Sequence, residues 1–211
     1  MRIGIFGGTF DPPHIVHLIL AEEALDQLGL DRVLWLVTAD PPHKQDQSIS
    51  PVSDRLAMVR TALQGNPKFE ISRVEIDRPG PHYALDTVNL LQQTYSDADL
   101  IYLIGADSLR DLPAWHEPQA LIEAVAGFGV MRRPGAEFDL AELEREFPGI
   151  TEKTAFIEAP LMEISARDIR ERVAESRPFR YFVPNDVYYY IKRNRLYHHG
   201  NSTGSVIKDE G

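Results

Sequence analysis

Two histidines three residues apart, His14 and His17, follow a glycine-broken apolar run, Ile3-Gly4-Ile5-Phe6-Gly7-Gly8-Thr9-Phe10-Asp11-Pro12-Pro13. The run reads as a short strand entering a Gly-Gly turn, with a long helix beginning near His14. The start of a helix exposes unpaired N–H groups and a partial positive charge, so it attracts anions. A spacing of three puts both imidazoles on one face of the first turn. Gly7 and Gly8 permit close main-chain approach, Thr9 offers a hydroxyl, and Asp11 is placed to cap the helix or orient a histidine. Together these residues describe a phosphate site assembled from main-chain dipoles and side-chain donors. Zinc at the histidine pair would lack a third ligand.

A second anion site is written in Ile164-Ser165-Ala166-Arg167-Asp168-Ile169-Arg170, again at a helix start. Ser165 is a good N-cap, and Arg167 and Arg170 lie three apart, an arrangement suited to a polyphosphate. Pro41-Pro42-His43-Lys44 presents a cation on a rigid loop, and Arg132-Arg133-Pro134-Gly135 follows another apolar run. Gly105-Ala106-Asp107-Ser108 places a carboxylate where ribose hydroxyls or an adenine amine could donate to it. Trp115 either fills the core or stacks on a flat ring. Gly80-Pro81-His82-Tyr83-Ala84 leads a loop into a helix with free N–H groups. The glycine-loop lysine of one phosphate-binding motif, the dinucleotide fingerprint and the nucleophile-elbow serine are all absent.

These residues need a scaffold, and apolar patterning supplies one. Strand-like runs occur at 2–6, 32–37, 69–72, 100–104, 125–131 and 154–157. Helical patterns occupy 15–28, 53–63, 83–95, 106–112, 118–124, 140–147, 166–174 and 184–194. In the first helix Leu18, Ala21, Leu25 and Leu28 form the expected inner stripe, and Ser53 is the expected cap of the second. Such alternation predicts βαβ units and a doubly wound, largely parallel sheet of Rossmann-like α/β type, with a small helical part at the C-terminus. Ligands on such sheets sit beyond the C-terminal strand ends, where the strand order reverses. The 211 residues suffice for one such domain, read as 1–197, with 198–211 as a frayed tail.

The net charge of −10 argues against a broad nucleic-acid or anionic-membrane surface and makes local basic clusters more informative. No apolar run approaches the roughly 20 residues of a membrane span, and no signal-peptide pattern opens the chain. The absence of cysteine excludes disulfides and thiol chemistry and suits a cytoplasmic protein.

The Gly7–His17 segment resembles the signature of the HxGH nucleotidyltransferase superfamily. Pro41–Lys44, Tyr83 with Asp86-Thr87, Gly105–Asp107 with Leu112–Trp115, Arg133–Gly135 and Ser165–Arg170 narrow the resemblance to the bacterial nicotinate-nucleotide adenylyltransferase family, with landmarks in order from residue 3 to about 197. The resemblance implies condensation of nicotinate mononucleotide with ATP to deamido-NAD and pyrophosphate, with Mg²⁺ accompanying ATP and a homo-oligomer as one possible assembly. By the same resemblance His14 and His17 hold the ATP phosphates and stabilise the transition state. Gly7, Gly8, Thr9, Phe10, Lys44, Gly105, Asp107, Arg133, Ser165 and Arg170 line the ATP site, and Thr38, Tyr83, Ala84 and Trp115 the nicotinate mononucleotide site. The chain departs from the family pattern at Val16 (glycine in the family), Thr38 (asparagine), Ala84 (threonine) and Arg167 (a hydroxyl residue). A sister transferase with another acceptor and a nucleotide-binding module without catalysis are the alternative readings.

Overall fold

The computed structural model describes residues 1–39, 49–131 and 140–198. Its elements alternate as the patterning requires: β1 (Arg2–Gly8), α1 (Ile15–Gln27), β2 (Arg32–Val37), α2 (Val52–Ala62), β3 (Phe69–Ser72), α3 (Ala84–Thr94), β4 (Asp99–Gly105), α4 (Ala106–Arg110), α5 (Pro118–Ala124), β5 (Gly127–Met131), α6 (Leu140–Glu146), α7 (Ile150–Lys153), β6 (Thr154–Ile157), α8 (Ala166–Ala174) and α9 (Asn185–Asn194). The six strands form one sheet in the order β3-β2-β1-β4-β5-β6. Every pairing is parallel, with Ile5 opposite Leu34 on one side and Tyr102 on the other.

Both faces of this sheet are covered, which is why its strands read as near-continuous apolar runs. Side chains alternate across it with the two-residue period of a strand. Ile3, Ile5, Leu34, Leu36, Tyr102 and Ile104 enter one core with Val88, Leu109 and Leu121 of α3, α4 and α5. Phe6, Val33, Trp35, Val37, Ile101 and Leu103 enter the other, with Ala21 and Leu25 of α1 and Val59 of α2. The C-terminal helical part adds a third core, packing Ile169, Val173, Val187 and Ile191 of α8 and α9 on Met58 and Ala62 of α2. The strand order reverses between β1 and β4, so the crevice expected for a ligand opens at their C-terminal ends.

Several local expectations are corrected. Pro51, not Ser53, is the N-cap of α2, because its carbonyl accepts the N–H groups of Asp54 and Arg55. Helix α1 buries Leu20, Ala21, Ala24 and Leu25, whereas Leu18 and Leu28 are half-buried. Its contact stripe is therefore turned by about one position. Helix α4 stops at Arg110 and a short 3-10 turn covers Leu112–Ala114, since Pro113 cannot continue the ladder. Val125 is the C-cap of α5 rather than the first residue of β5, and the single turn α7 was not expected.

Candidate active site

The exit from β1 delivers the histidine pair directly. His14 is the N-cap of α1, and its main-chain N–H donates to Nδ1 of His17 at 3.1 Å. The two rings lie 3.6 Å apart, tilted by 31°. Because Nδ1 of His17 accepts, the proton of the neutral ring resides on Nε2, the nitrogen turned away from its own helix turn. Phe10 meets the same imidazole edge-on at 5.1 Å, and Phe10 in turn rests on Phe6 and Trp35. His17 is thus held between a main-chain donor and an aromatic stack rooted in β2.

Both imidazoles line a cavity of about 300 Å³ with Val16, Leu20, Ser165, Asp168 and the segment Ala159–Ile164. Ser165 caps α8 as its sequence suggests, its hydroxyl oxygen accepting the Asp168 N–H at 3.1 Å. The hydroxyl proton is still available to a second partner. The N-termini of α1 and α8 therefore meet at one cavity, and each adds the positive end of its dipole. His14 is only 5% exposed, whereas Leu161 is 69% exposed at the rim.

The two turn glycines serve different ends. A side chain at Gly8 would lie 2.8 Å from Cζ of Phe10, whose ring is buried, so Gly8 exists to admit Phe10 rather than a phosphate. At Gly7 the nearest atom would be the Tyr102 hydroxyl at 4.0 Å, and Gly7 itself is exposed. Phe10, with φ of 48° and its ring in the core, can face a nucleotide only through its main chain. Gly8→Ala should therefore cost about 1–3 kcal/mol by overpacking. Gly7→Ala should leave stability nearly unchanged; urea denaturation of both variants checks the contrast.

Asp11 neither caps the helix nor orients a histidine. Its carboxylate, 3% exposed, accepts the Ser50 N–H at 3.1 Å and the Tyr197 hydroxyl at 2.6 Å, while its carbonyl accepts from Nη1 of Arg170 at 2.8 Å. Burial, then the charge of Asp11 and its hydrogen bond, push the Tyr197 phenol well above its usual range, so it remains a donor. Arg170 thus reaches the loop after β1 from α8, whereas Arg167 is exposed. Tyr197→Phe leaves a buried carboxylate oxygen without its donor and should cost about 1–3 kcal/mol, read as a lowered denaturation midpoint.

A second cavity, of about 540 Å³, lies on the other side of the β1 terminus. It gathers Thr38, Tyr83, Ala84 and Trp115, from three separate stretches of the sequence, together with Glu75 and Tyr102. Tyr83 is the N-cap of α3 and has no side-chain cap, so the first-turn N–H groups of that helix stand at the cavity wall. The Tyr83 ring stacks on His116 at 3.9 Å, and Trp115 packs edge-on against Tyr102. Gly105 and Asp107 begin α4 at the end of β4 but line neither cavity; Asp107 is exposed beside Arg110 at 3.7 Å. Lys44 and Arg133 lie outside the described residues.

One residue that organises both cavities was not singled out from the sequence. Arg55 of α2, 2% exposed, donates to the carbonyls of Ser50, Thr9, Thr38 and Ala39 at 2.7–3.0 Å. It ties the loop after β1 to the loop after β2. The signal was present, since Arg55 shares the inward stripe of α2 with Met58, Val59 and Ala62.

With this geometry in place, comparison with known proteins is informative. Residues 5–172 match the cytidylyltransferase-like family. The chain is 51% identical to a Thermomicrobium roseum protein named "Probable nicotinate-nucleotide adenylyltransferase", over 93% of this chain and 91% of that protein. It is 40% identical to the nicotinate-nucleotide adenylyltransferase of Bacillus subtilis, over 93% and 98% of the two chains. The fold is shared with Plasmodium falciparum nicotinic acid mononucleotide adenylyltransferase, solved in complex with NaAD, at a TM-score of 0.77 and 18% identity, covering 93% of this chain and 97% of that one.

Proposed function

The chain belongs to the nicotinate-nucleotide adenylyltransferase family, and from that premise we propose that it joins nicotinate mononucleotide to the adenylyl group of ATP, releasing pyrophosphate. The observation that carries the reading is the pair of separate cavities, one lined by the histidine pair, the other by Trp115, Tyr83 and the start of α3. ATP takes the first, with its phosphates at the N-termini of α1 and α8. The mononucleotide takes the second, its ring against Trp115 and its carboxylate at the N–H groups of α3, where the Ala84 side chain costs nothing because the contact is made by main chain.

The attacking group is a phosphate oxygen that is already ionised near neutral pH, so no general base is required. It strikes the α-phosphorus of ATP in line, and pyrophosphate leaves with the bond's electron pair. The obstacle is repulsion between two polyanions, which makes alignment and charge neutralisation the whole of catalysis. The Nε2–H of His17, held by the Nδ1 hydrogen bond, points a fixed donor at the charge that moves onto the leaving oxygen. His14 and the helix dipoles hold the triphosphate, and the Ser165 hydroxyl grips its outer end. Arg170 fixes the loop through Asp11 and contributes its charge at the same place. Lys44 and Arg133 complete the ATP site in this reading, with Gly105 and Asp107, beyond the lining of the histidine cavity, beside the adenosine, and Gly7, Thr9 and the main chain of Gly8 and Phe10 beneath the phosphates. Thr38 borders the mononucleotide.

Among the described residues no cluster of three or more His, Asp or Glu could hold a metal ion. In this reading Mg²⁺ enters with ATP as part of the substrate, where it would screen the charge of the phosphates. We read residues 1–197 as one catalytic unit working in the cytoplasm, alone or as a homo-oligomer; the expected tail lies outside the described residues from residue 199 onward. Among the described residues no helix is long and apolar enough to cross a membrane. A coupled pyrophosphate assay with ATP and a panel of acceptors tests the reaction. Release with nicotinate mononucleotide is expected, and release only with a different acceptor would replace this reading by that of a sister transferase.

A further inference from the structure

The proposed reaction uses the aromatic walls of the acceptor cavity and the start of α3, but it leaves one lining group unexplained. Glu75, just beyond β3, is 7% exposed and lines that cavity with Tyr83, Tyr102 and Trp115. Its Oε1 accepts the Thr87 hydroxyl at 3.1 Å, whereas its buried Oε2 has no hydrogen-bond partner among the described residues. A half-paired buried carboxylate is costly unless a cation or a donor completes it. Burial pushes the Glu75 carboxyl up, and the Thr87 hydroxyl and the Arg78 charge pull it only part of the way back.

The nearest cation acts on Glu75 through its charge but makes no hydrogen bond to it, and its terminal nitrogens are engaged elsewhere. Arg78 donates to the carbonyls of Pro81 and Tyr83 and to the Thr87 hydroxyl, and its guanidinium stands 3.9 Å from Asp86. The Tyr102 phenol, raised by burial and by the charge of Glu75, stays a neutral donor. His82, His116 and Asp111 also face the cavity, and Asp111 is engaged by Arg110 at 2.9 Å. A buried carboxylate below two aromatic walls is the donor set for a flat organic cation. A pyridine base joined to ribose through its ring nitrogen is such a cation, its charge fixed by the glycosidic bond.

We propose that Glu75 is a specificity-determining residue that pairs with the positive ring of a pyridinium mononucleotide, so that the cavity selects a quaternised ring over a neutral one. The proposal rests on the acceptor assignment made above and divides recognition in two. The start of α3 reads the ring's carboxylate, and Glu75 reads the charge on the ring itself.

The test compares nicotinate mononucleotide with its dihydropyridine counterpart, which keeps the carboxylate, ribose and phosphate but has a neutral ring nitrogen. Pyrophosphate release is measured for the full chain and for two variants. The unaltered protein should prefer the quaternised acceptor in kcat/KM by about tenfold or more, the scale of one partly screened charge contact. Glu75→Gln keeps the size of the side chain and the Thr87 bond. It should lose most of that preference through a raised KM for the quaternised acceptor, with KM for ATP moving less than about twofold. Thr87→Val leaves the carboxylate in place and should keep the preference. Equal losses for both acceptors in Glu75→Gln, or no preference in the unaltered protein, would overturn the proposal. The second outcome does so even if the variant fails to fold. No release by the unaltered protein with either acceptor would instead remove the acceptor assignment, and the inference with it.

Discussion

Replacing His17 with alanine should lower turnover by about 10²–10³-fold while changing the affinity for ATP far less. The reason lies in the geometry of one ring. Its Nδ1 accepts from the His14 main chain and its face is braced by Phe10, so the Nε2 donor is fixed before substrate arrives. A fixed donor contributes little to ground-state binding, where the phosphates have other partners. It contributes most when charge accumulates on the departing oxygen. Single-turnover rates set beside equilibrium ATP binding decide the matter. A Kd that rises as much as kcat falls would show that His17 only holds the ground state.

Arg55→Met should be the most destabilising single change in the described core, on the order of 4 kcal/mol. The figure follows from stranding two or more buried carbonyls at about 1–3 kcal/mol each. Arg55 is buried, and its four acceptors belong to the two loops that leave the paired ends of β1 and β2. Arg55→Lys should recover part of the loss, because an ammonium reaches some of the carbonyls but cannot span the fork. Chemical denaturation measures both; a cost under about 1 kcal/mol for the methionine variant would mean that water takes over the carbonyls.

What could be read directly from the sequence was whatever a few neighbouring residues determine. The Ser165 cap, the histidine spacing and the alternation of strands and helices all rest on local pattern, and the structure carries each of them. Asp11 shows where such reading stops. Its partners lie 39 residues away at Ser50 and 186 away at Tyr197, and no local rule links them. Gly8 was read as room for a ligand because the ring that fills it belongs to Phe10, whose left-handed φ is rare outside glycine. Arg55 and Glu75 looked like ordinary charges on a helix and beyond a strand. Their burial becomes visible only once the sheet order sets the second strand beside the first and the third beside the second. The grouping of Thr38, Tyr83 and Trp115 depends on that order as well.

The two cavities have no lining residue in common. With each nucleotide in its own cavity as proposed, neither forms part of the other's seat, and arrival of one is no prerequisite for docking of the other. Initial-rate plots should then give intersecting lines for either varied substrate. Each ligand supplied singly should also raise the melting temperature, by the mass-action rule for anything that binds only the folded chain. An architecture that keeps its guests apart until their phosphates touch imposes a meeting point but no queue.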